Sequence, residues 1–209
     1  GVEMYDVYTG FKWIANVMRE NEGKKNYIGG GEESYGFLCE DFVRDKDAVS
    51  ACVILAEIAA WAKDQGLSLY QLLQKIYVEY GFSKEKGISV VKKGKSGAEE
   101  IEAMMKKFRE NPLTEIAGSK VTYFYDYSTL KGKDYAENET VTLDMPTTSN
   151  VLQYFTEDNT KVSIRPSGTE PKIKFYCEVH SKVKSIDELP EAEKAAEEKI
   201  NQIKASLGI

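Results

Sequence analysis

The chain has 209 residues, 42% of them hydrophobic, 11% aromatic and 30% charged, which is globular composition and excludes an intrinsically disordered chain. Its net charge is −6, from 28 Lys and Arg against 34 Asp and Glu, so a broadly basic nucleic-acid binder is excluded and any anion site must be local. Three cysteines (Cys39, Cys52, Cys177) at no metal-like spacing, and no signal-peptide pattern, point to a reducing, cytoplasmic setting. One histidine, His180, leaves almost no material for a His-based triad or a His-rich zinc site.

The first half reads as helix, strand and helix in alternation. Trp13, Ile14, Val17 and Met18 repeat at helical spacing over Lys12 to Arg19, directly after Thr9-Gly10-Phe11. Tyr27 and Ile28 make a short strand that runs into Gly29-Gly30-Gly31. Asp45 to Lys63 is the strongest helix, closed by Gly66, and its Ala48 to Ala62 stretch reads as core. That stretch, broken by Ser50 and Glu57, is too short and polar to span a bilayer, so no membrane partner is expected. Ser68 and Gln71 form a capping box that opens a helix to about Tyr80, stopped by Gly81.

The polar stretch Gly81 to Gly87 marks a domain boundary, dividing the chain into residues 1–85 and 86–209. Beyond it, Ile88 to Val91 is a strand, and Ser96 with Glu99 caps a helix that Asn111-Pro112 ends. Strands follow at Val121 to Tyr125, whose Tyr-rich continuation to Tyr127 reads as core, then at Val151 to Thr156, Thr160 to Ile164 and Ile173 to Val179. His180 falls on the polar side of the last alternation, as an exposed strand residue. A third capping box, Ser185 with Glu188, starts a helix whose Leu189, Ala192, Ala196, Ile200, Ile203 and Leu207 form one apolar stripe. The fold class is therefore α/β followed by a helix-backed, mostly antiparallel α+β domain.

Three segments carry candidate chemistry. Lys92-Lys93-Gly94-Lys95-Ser96-Gly97 suggests a phosphate loop, but Ser89 stands where that motif needs glycine, and a solvated basic turn is the better reading. Gly29-Gly30-Gly31-Glu32-Glu33-Ser34-Tyr35-Gly36 fails the dinucleotide fingerprint at Ser34 and the nucleophile elbow at Glu32. Its glycines permit close backbone approach, and a carboxylate beside a hydroxyl can grip vicinal hydroxyls of a sugar; an ordinary Gly-rich loop with solvated glutamates is the competing reading. Arg165-Pro166-Ser167-Gly168-Thr169-Glu170-Pro171 is the sharpest. Arg165 can bind phosphate through two parallel donors, Ser167 and Thr169 add hydroxyls, and the backbone around Gly168 can form an anion nest. From Lys161 to Ser185 there are six Lys or Arg against two Asp or Glu, net +4 within the −6 chain. A tight structural turn is the alternative here. Lys12 at its helix start is a possible further contact, although a lone lysine there is usually solvated.

At these residues the sequence resembles the α-D-phosphohexomutases, which include phosphoglucomutases and phosphomannomutases. The matching segments are Thr9-Gly10-Phe11-Lys12, Gly31-Glu32-Glu33-Ser34 and Arg165 to Pro171. The resemblance implies the C-terminal part of the family's mixed α/β third domain (1–85, sugar-binding loop) and its complete fourth domain (86–209, phosphate-binding loop). By the same resemblance, Glu32, Ser34 and Lys12 would meet the sugar, and Arg165, Ser167, Gly168 and Thr169 would hold the phosphate that is not transferred. Glu33 receives no role, because that position varies in the family. Tyr35-Gly36 looks like the branch often described as the longer phosphoglucomutases or phosphomannomutases.

The family's phosphoserine loop and its Mg²⁺-holding Asp-Gly-Asp-Gly-Asp loop are not in this sequence; Asp41, Asp45 and Asp47 lack the glycines. The resemblance therefore implies no catalytic residue in this chain, no bound metal, and Mg²⁺ only in a longer enzyme whose N-terminal domains are its partner. That enzyme would interconvert hexose 1-phosphate and hexose 6-phosphate, with phosphoglucomutase ahead of phosphomannomutase, and the 209 residues alone are expected to be inactive. A stand-alone sugar-phosphate-binding or regulatory module is the alternative. A nucleic-acid-binding domain is disfavoured by the acidic total and by the lack of stacking aromatics beside Arg165.

Overall fold

In the computed structural model the described residues are 1–32, 36–92, 94–168 and 170–209, with the backbone alone for Lys95. They divide into two compact units, Gly1–Leu73 and Gln74–Ile209, so the division falls inside a helix rather than in a loop. No helix among the described residues is long and apolar enough to cross a membrane.

The first unit begins with helix α1 (Phe11–Glu20), strands β1 (Gly29–Glu32) and β2 (Gly36–Cys39), and helix α2 (Ala48–Asp64). β1 and β2 pair antiparallel, with Gly29 opposite Cys39 and Glu32 opposite Gly36. The glycines expected to lead out of a strand thus form the strand itself. Packing explains this: a Cβ on Gly30 would lie 2.7 Å from the Tyr27 hydroxyl and 3.3 Å from Ile14, so its bare face lets α1 settle on the ribbon. Phe11, Met18 and Leu38, with Ile14 and Tyr27, are the resulting small core.

Asp47 caps α2 by accepting from the Ser50 N–H at 2.8 Å, so the helix starts slightly later than its Asp45 estimate. At the other end Gly66 takes φ +71°, and Leu67 N–H reaches the Ala62 carbonyl at 2.9 Å in a Schellman closure. Contrary to expectation, the Ala48 to Ala62 stretch is not core in this chain. Only Ala62 is buried along α2, while Val49 is 74% exposed, Val53 54% and Trp61 55%. The helix is apolar all round, and the small unit covers one flank of it. Helix α3 (Leu69–Tyr80) opens with the expected box: Ser68 N–H donates to Gln71 and Gln71 N–H to the Ser68 hydroxyl.

The second unit is one antiparallel sheet with two helices on one face. Its elements are β3 (Phe82–Val91), α4 (Gly94–Glu110), β4 (Glu115–Ile116), β5 (Ser119–Asp126), β6 (Lys131–Asp134), β7 (Glu139–Thr142), β8 (Leu152–Thr156), β9 (Lys161–Pro166), β10 (Lys172–Ser181) and α5 (Leu189–Leu207). The strands lie in the order β3-β10-β9-β8-β5-β6-β7, with short β4 on β5. β3 takes in Phe82 to Gly87 as well as the expected Ile88 to Val91, because it pairs with β10 through all ten residues.

Strict alternation sets the two faces. Leu152, Tyr154, Val162, Ile164, Ile173, Phe175 and Cys177 point inward and are essentially fully buried against Ile101, Met105 and Phe108 of α4 and Ala196, Ile200 and Ile203 of α5. Each such large side chain contributes about 2 kcal/mol of transfer free energy. Tyr123, Tyr125 and Tyr127, expected as core, instead sit half-buried on the other face, where Tyr125 packs against both neighbours and Phe155. Phe124 takes the inward place between them. The buried Tyr154 hydroxyl donates to the Phe108 carbonyl at 3.0 Å, satisfying an otherwise open carbonyl in the last turn of α4.

The α5 stripe forms as expected, but its start differs. Ser185 makes no side-chain cap; a 3₁₀ turn over Ile186–Glu188 intervenes, and Glu188 accepts from Lys184 N–H at 2.8 Å. His180 is exposed, its Nε2 2.9 Å from Glu178 Oε1.

Two outcomes follow from this packing. Burial pushes the Cys177 thiol up to about 11, so a thiol-specific reagent at neutral pH labels exposed Cys52 in the native chain and reaches Cys177 only on unfolding. At the β8–β9 turn, burial tends to raise the Asp158 pKa, but Lys199, Thr156 and Thr160 outweigh it and hold the carboxyl well below the carboxylate range. Its stabilisation is thus complete above about pH 4 and fades as the pH falls further. Replacing Lys199 by Met should cost about 1 kcal/mol at pH 7 and nothing measurable once the carboxyl is protonated in both states, read from urea unfolding at several pH values.

Candidate functional site

In the first unit, Glu32 ends β1 opposite Gly36 and turns its carboxylate onto the start of α1: Oε1 accepts from Gly10 N–H at 2.5 Å. Gly10 has φ +118° and offers no side chain, and α1 has neither a side-chain cap of its own nor an acidic residue in its first turn. Glu32 therefore supplies the negative charge that the helix N-terminus favours. The structure thereby brings together two of the segments singled out, Thr9 to Lys12 and Gly31-Glu32. Lys12 itself is exposed, with its ammonium 4.9 Å from the centre of the Trp13 ring.

Sequence reasoning missed Lys46. A Cβ on Gly36 would lie 3.2 Å from Lys46 Cδ and 3.5 Å from Glu32 Oε2, so the lysine stem and the carboxylate flank the same bare glycine. The Lys46 ammonium sits 5.9 Å from the centre of the Phe11 ring and 3.1 Å from Asp45. A carboxylate, one cation and an exposed lysine around a helix start can accept from sugar hydroxyls and meet an anionic group. The only advance signal was the charge run Arg44-Asp45-Lys46-Asp47 before α2. Ser34, with Glu33 and Tyr35, lies outside the described residues.

In the second unit, the segment from Arg165 to Lys172 is the β9–β10 hairpin connection. Ser167 N–H donates to the Lys172 carbonyl at 2.8 Å, Lys172 N–H to the Glu170 carbonyl at 2.7 Å, and Glu170 N–H to the Ser167 hydroxyl at 3.3 Å. Glu170 is paired with the Lys172 ammonium, which holds its carboxyl below the ordinary value. A Cβ on Gly168 would meet nothing within 4 Å, and its φ is not left-handed, so the space beside it is open. Thr169 lies outside the described residues.

The register places Arg165 directly opposite Lys174, a second residue sequence reasoning missed. Both alternate with buried neighbours (Ile164, Ile173, Phe175) and so share the face away from the helices. The Lys174 ammonium stands 5.9 Å from the centre of the Tyr176 ring and, from farther off than Lys172, also helps to lower the Glu170 carboxyl; among the described residues neither Arg165 nor Lys174 has a carboxylate within salt-bridge distance. Two like charges side by side on a sheet repel, and an arriving anion relieves that repulsion. Lys174 was legible in principle as the outward position two residues after Lys172, a place only the strand register makes significant.

Residues 1–80 match the family description "Phosphoglucomutase/phosphomannomutase, alpha/beta/alpha domain III", and residues 89–196 match "Phosphoglucomutase/phosphomannomutase, C-terminal domain". A phosphoglucomutase of Staphylococcus haemolyticus is 37% identical over 179 residues, covering 86% of this chain and 32% of its own length. One of Staphylococcus aureus is 41% identical over 175 residues, covering 84% of this chain and 31% of its own. The chain thus spans about a third of the length of the curated relatives it matches. Among solved structures, the open form of the Paramecium phosphoprotein pp63/parafusin superposes with a TM-score of 0.52 at 19% identity, over 85% of this chain and 29% of that one, a likeness of fold. The chain belongs to the phosphoglucomutase/phosphomannomutase family.

The Glu32 contact makes a local prediction. Replacing Glu32 by Ala removes the acceptor of the Gly10 N–H, at a cost of about 1 kcal/mol. Amide hydrogen exchange in the first turn of α1 should then speed up about fivefold, with no change at Ile200 in the second unit.

Proposed function

We propose that this chain is the substrate-binding C-terminal part of a phosphohexomutase, acting on hexose phosphates, with glucose phosphate ahead of mannose phosphate. Residues 1–85 supply the sugar-facing groups, Glu32 with Ser34 and Lys12, and residues 86–209 supply the phosphate-facing groups, Arg165, Ser167, Gly168 and Thr169. Lys46 and Lys174 extend the two sets. The observation that carries the reading is Arg165 and Lys174 side by side on one sheet face, neither within salt-bridge distance of a carboxylate among the described residues, next to the half-buried Ser167 and an exposed Gly168. Guanidinium, ammonium and N–H donors recognise a phosphate by its charge and tetrahedral acceptors, and ignore the orientation of the sugar behind it. That suits an isomerisation in which the phosphorylated carbon changes.

Phosphoryl transfer itself is assigned to polypeptide beyond these residues. The reading draws support from the relatives, which are about three times as long as the matched region, and from α2, whose apolar sides are open to further packing. The family implies Mg²⁺, but the described residues hold no cluster of three His, Cys, Asp or Glu that fits a metal ion. The 209 residues are proposed to bind without turnover, in a cytoplasmic protein.

Calorimetric titration of the chain with glucose 1-phosphate tests the assignment. Replacing Arg165 by Ala should weaken binding by about 2 kcal/mol, some thirtyfold, and replacing Lys174 by Met should weaken it less. Unchanged affinity in the Arg165 variant would refute the phosphate assignment. In a longer polypeptide carrying the same 209 residues, the Arg165 change should lower kcat/KM; binding without any mutase activity there would favour a non-catalytic module.

A further inference from the structure

Lys92, the first residue of the basic turn that reads as solvated, touches the end of the anion loop. Lys92 follows β3, whose last residue, Val91, pairs with Lys172 at the start of β10. Its backbone N–H donates to the Pro171 carbonyl at 2.9 Å, tying the end of the loop to the β3–α4 junction. The Lys92 ammonium turns elsewhere, to Glu100 at 2.9 Å. It is therefore the main chain of Lys92, and not its charge, that touches the loop.

Behind Lys92 stands Gly97, buried in the first turn of α4. A Cβ there would collide with the Lys92 carbonyl oxygen and carbon and would lie 2.8 Å from the Lys92 Cβ. Gly97 has no left-handed φ, so conformational freedom does not account for it; contact with the Lys92 backbone does. Lys92 cannot retreat from a larger residue without carrying its N–H off Pro171. The chain of contact runs from Gly97 through the Lys92 peptide to Pro171, and from there into a connection closed by the Ser167–Lys172 bond.

We propose that Gly97 is a positioning residue for anion binding, setting the place of the Arg165–Pro171 loop through the Lys92 main chain. The proposal rests on the reading of that loop as the phosphate site. Donors aimed at a phosphate lose much of their effect when displaced by a fraction of an ångström to an ångström. A methyl group at residue 97 forces a shift on that scale at Lys92.

The test is a titration of the ¹⁵N-labelled 209-residue chain with inorganic phosphate, followed by amide resonances. In the unaltered chain, Ser167 and Gly168 should shift saturably, and the Lys92 and Gly97 amides should shift with the same dissociation constant. Gly97→Ala should raise that constant about tenfold in folded molecules, whereas a merely structural glycine would lower the melting temperature and leave the affinity of the folded molecules unchanged. Lys92→Gln keeps the backbone donor and should bind phosphate as the unaltered chain does; a loss equal to that of Gly97→Ala would overturn the main-chain route. If Arg165→Ala weakens binding and Gly97→Ala does not, the positioning role fails while the phosphate site stands. If the unaltered chain shows no saturable shift, both fail. Should Gly97→Ala not fold, the unaltered chain still decides, since a Lys92 amide that stays still at saturating phosphate overturns the proposal.

Discussion

The structure turns on an electrostatic cost held in place by a hydrophobic register. Antiparallel pairing of β9 with β10 sets Arg165 beside Lys174 on the open face of the sheet, with no carboxylate at salt-bridge distance from either among the described residues. Left to itself, such a pair would splay or slip. A one-residue slip would drive Ile164, Ile173 and Phe175 out of the core and bring the cations into it. At about 2 kcal/mol for each buried side chain, that exceeds the repulsion of two partly solvated charges by a wide margin. The core thereby keeps the two cations side by side on the open face, as the proposed phosphate site requires.

The two units solve the same problem differently. In the second, Phe175, Tyr154 and the α4 and α5 stripes give a core large enough to fix a loop at its edge. In the first, three buried residues and two partly buried ones support Glu32, and its carboxylate holds the start of α1. If Glu32 meets the sugar as proposed, local order and binding are coupled, since whatever draws on the carboxylate also acts on the Gly10 N–H.

Much of the fold was legible because it rests on patterns that survive in one dimension. The α5 stripe, the Ser68–Gln71 box and the alternation of β8 to β10 needed no partner to be recognised. What escaped depends on contacts distant in sequence. Gly29 to Gly31 read as a loop because nothing nearby says that Tyr27 and Ile14 need the space of a side chain. The tyrosines of β5 read as core because apolar residues run through both phases of that strand, and only its neighbours decide which faces in. Ala48 to Ala62 read as core because composition reports a wish for burial, not whether anything in these residues provides it.

The same division holds for the site. Glu32 and the Arg165 loop stood out as local strings, whereas Lys46 and Lys174 gain meaning only through a fold-back and a strand register. The central claim, that a sugar phosphate is held by its phosphate at the β9–β10 connection, is tested most directly by a crystal structure of the chain with glucose 1-phosphate. The account predicts phosphate density bridged by the Arg165 guanidinium, with Lys174 and the Ser167–Gly168 backbone around it. A phosphate bound elsewhere, with the Arg165 side chain turned away and this loop empty at saturating ligand, would contradict it.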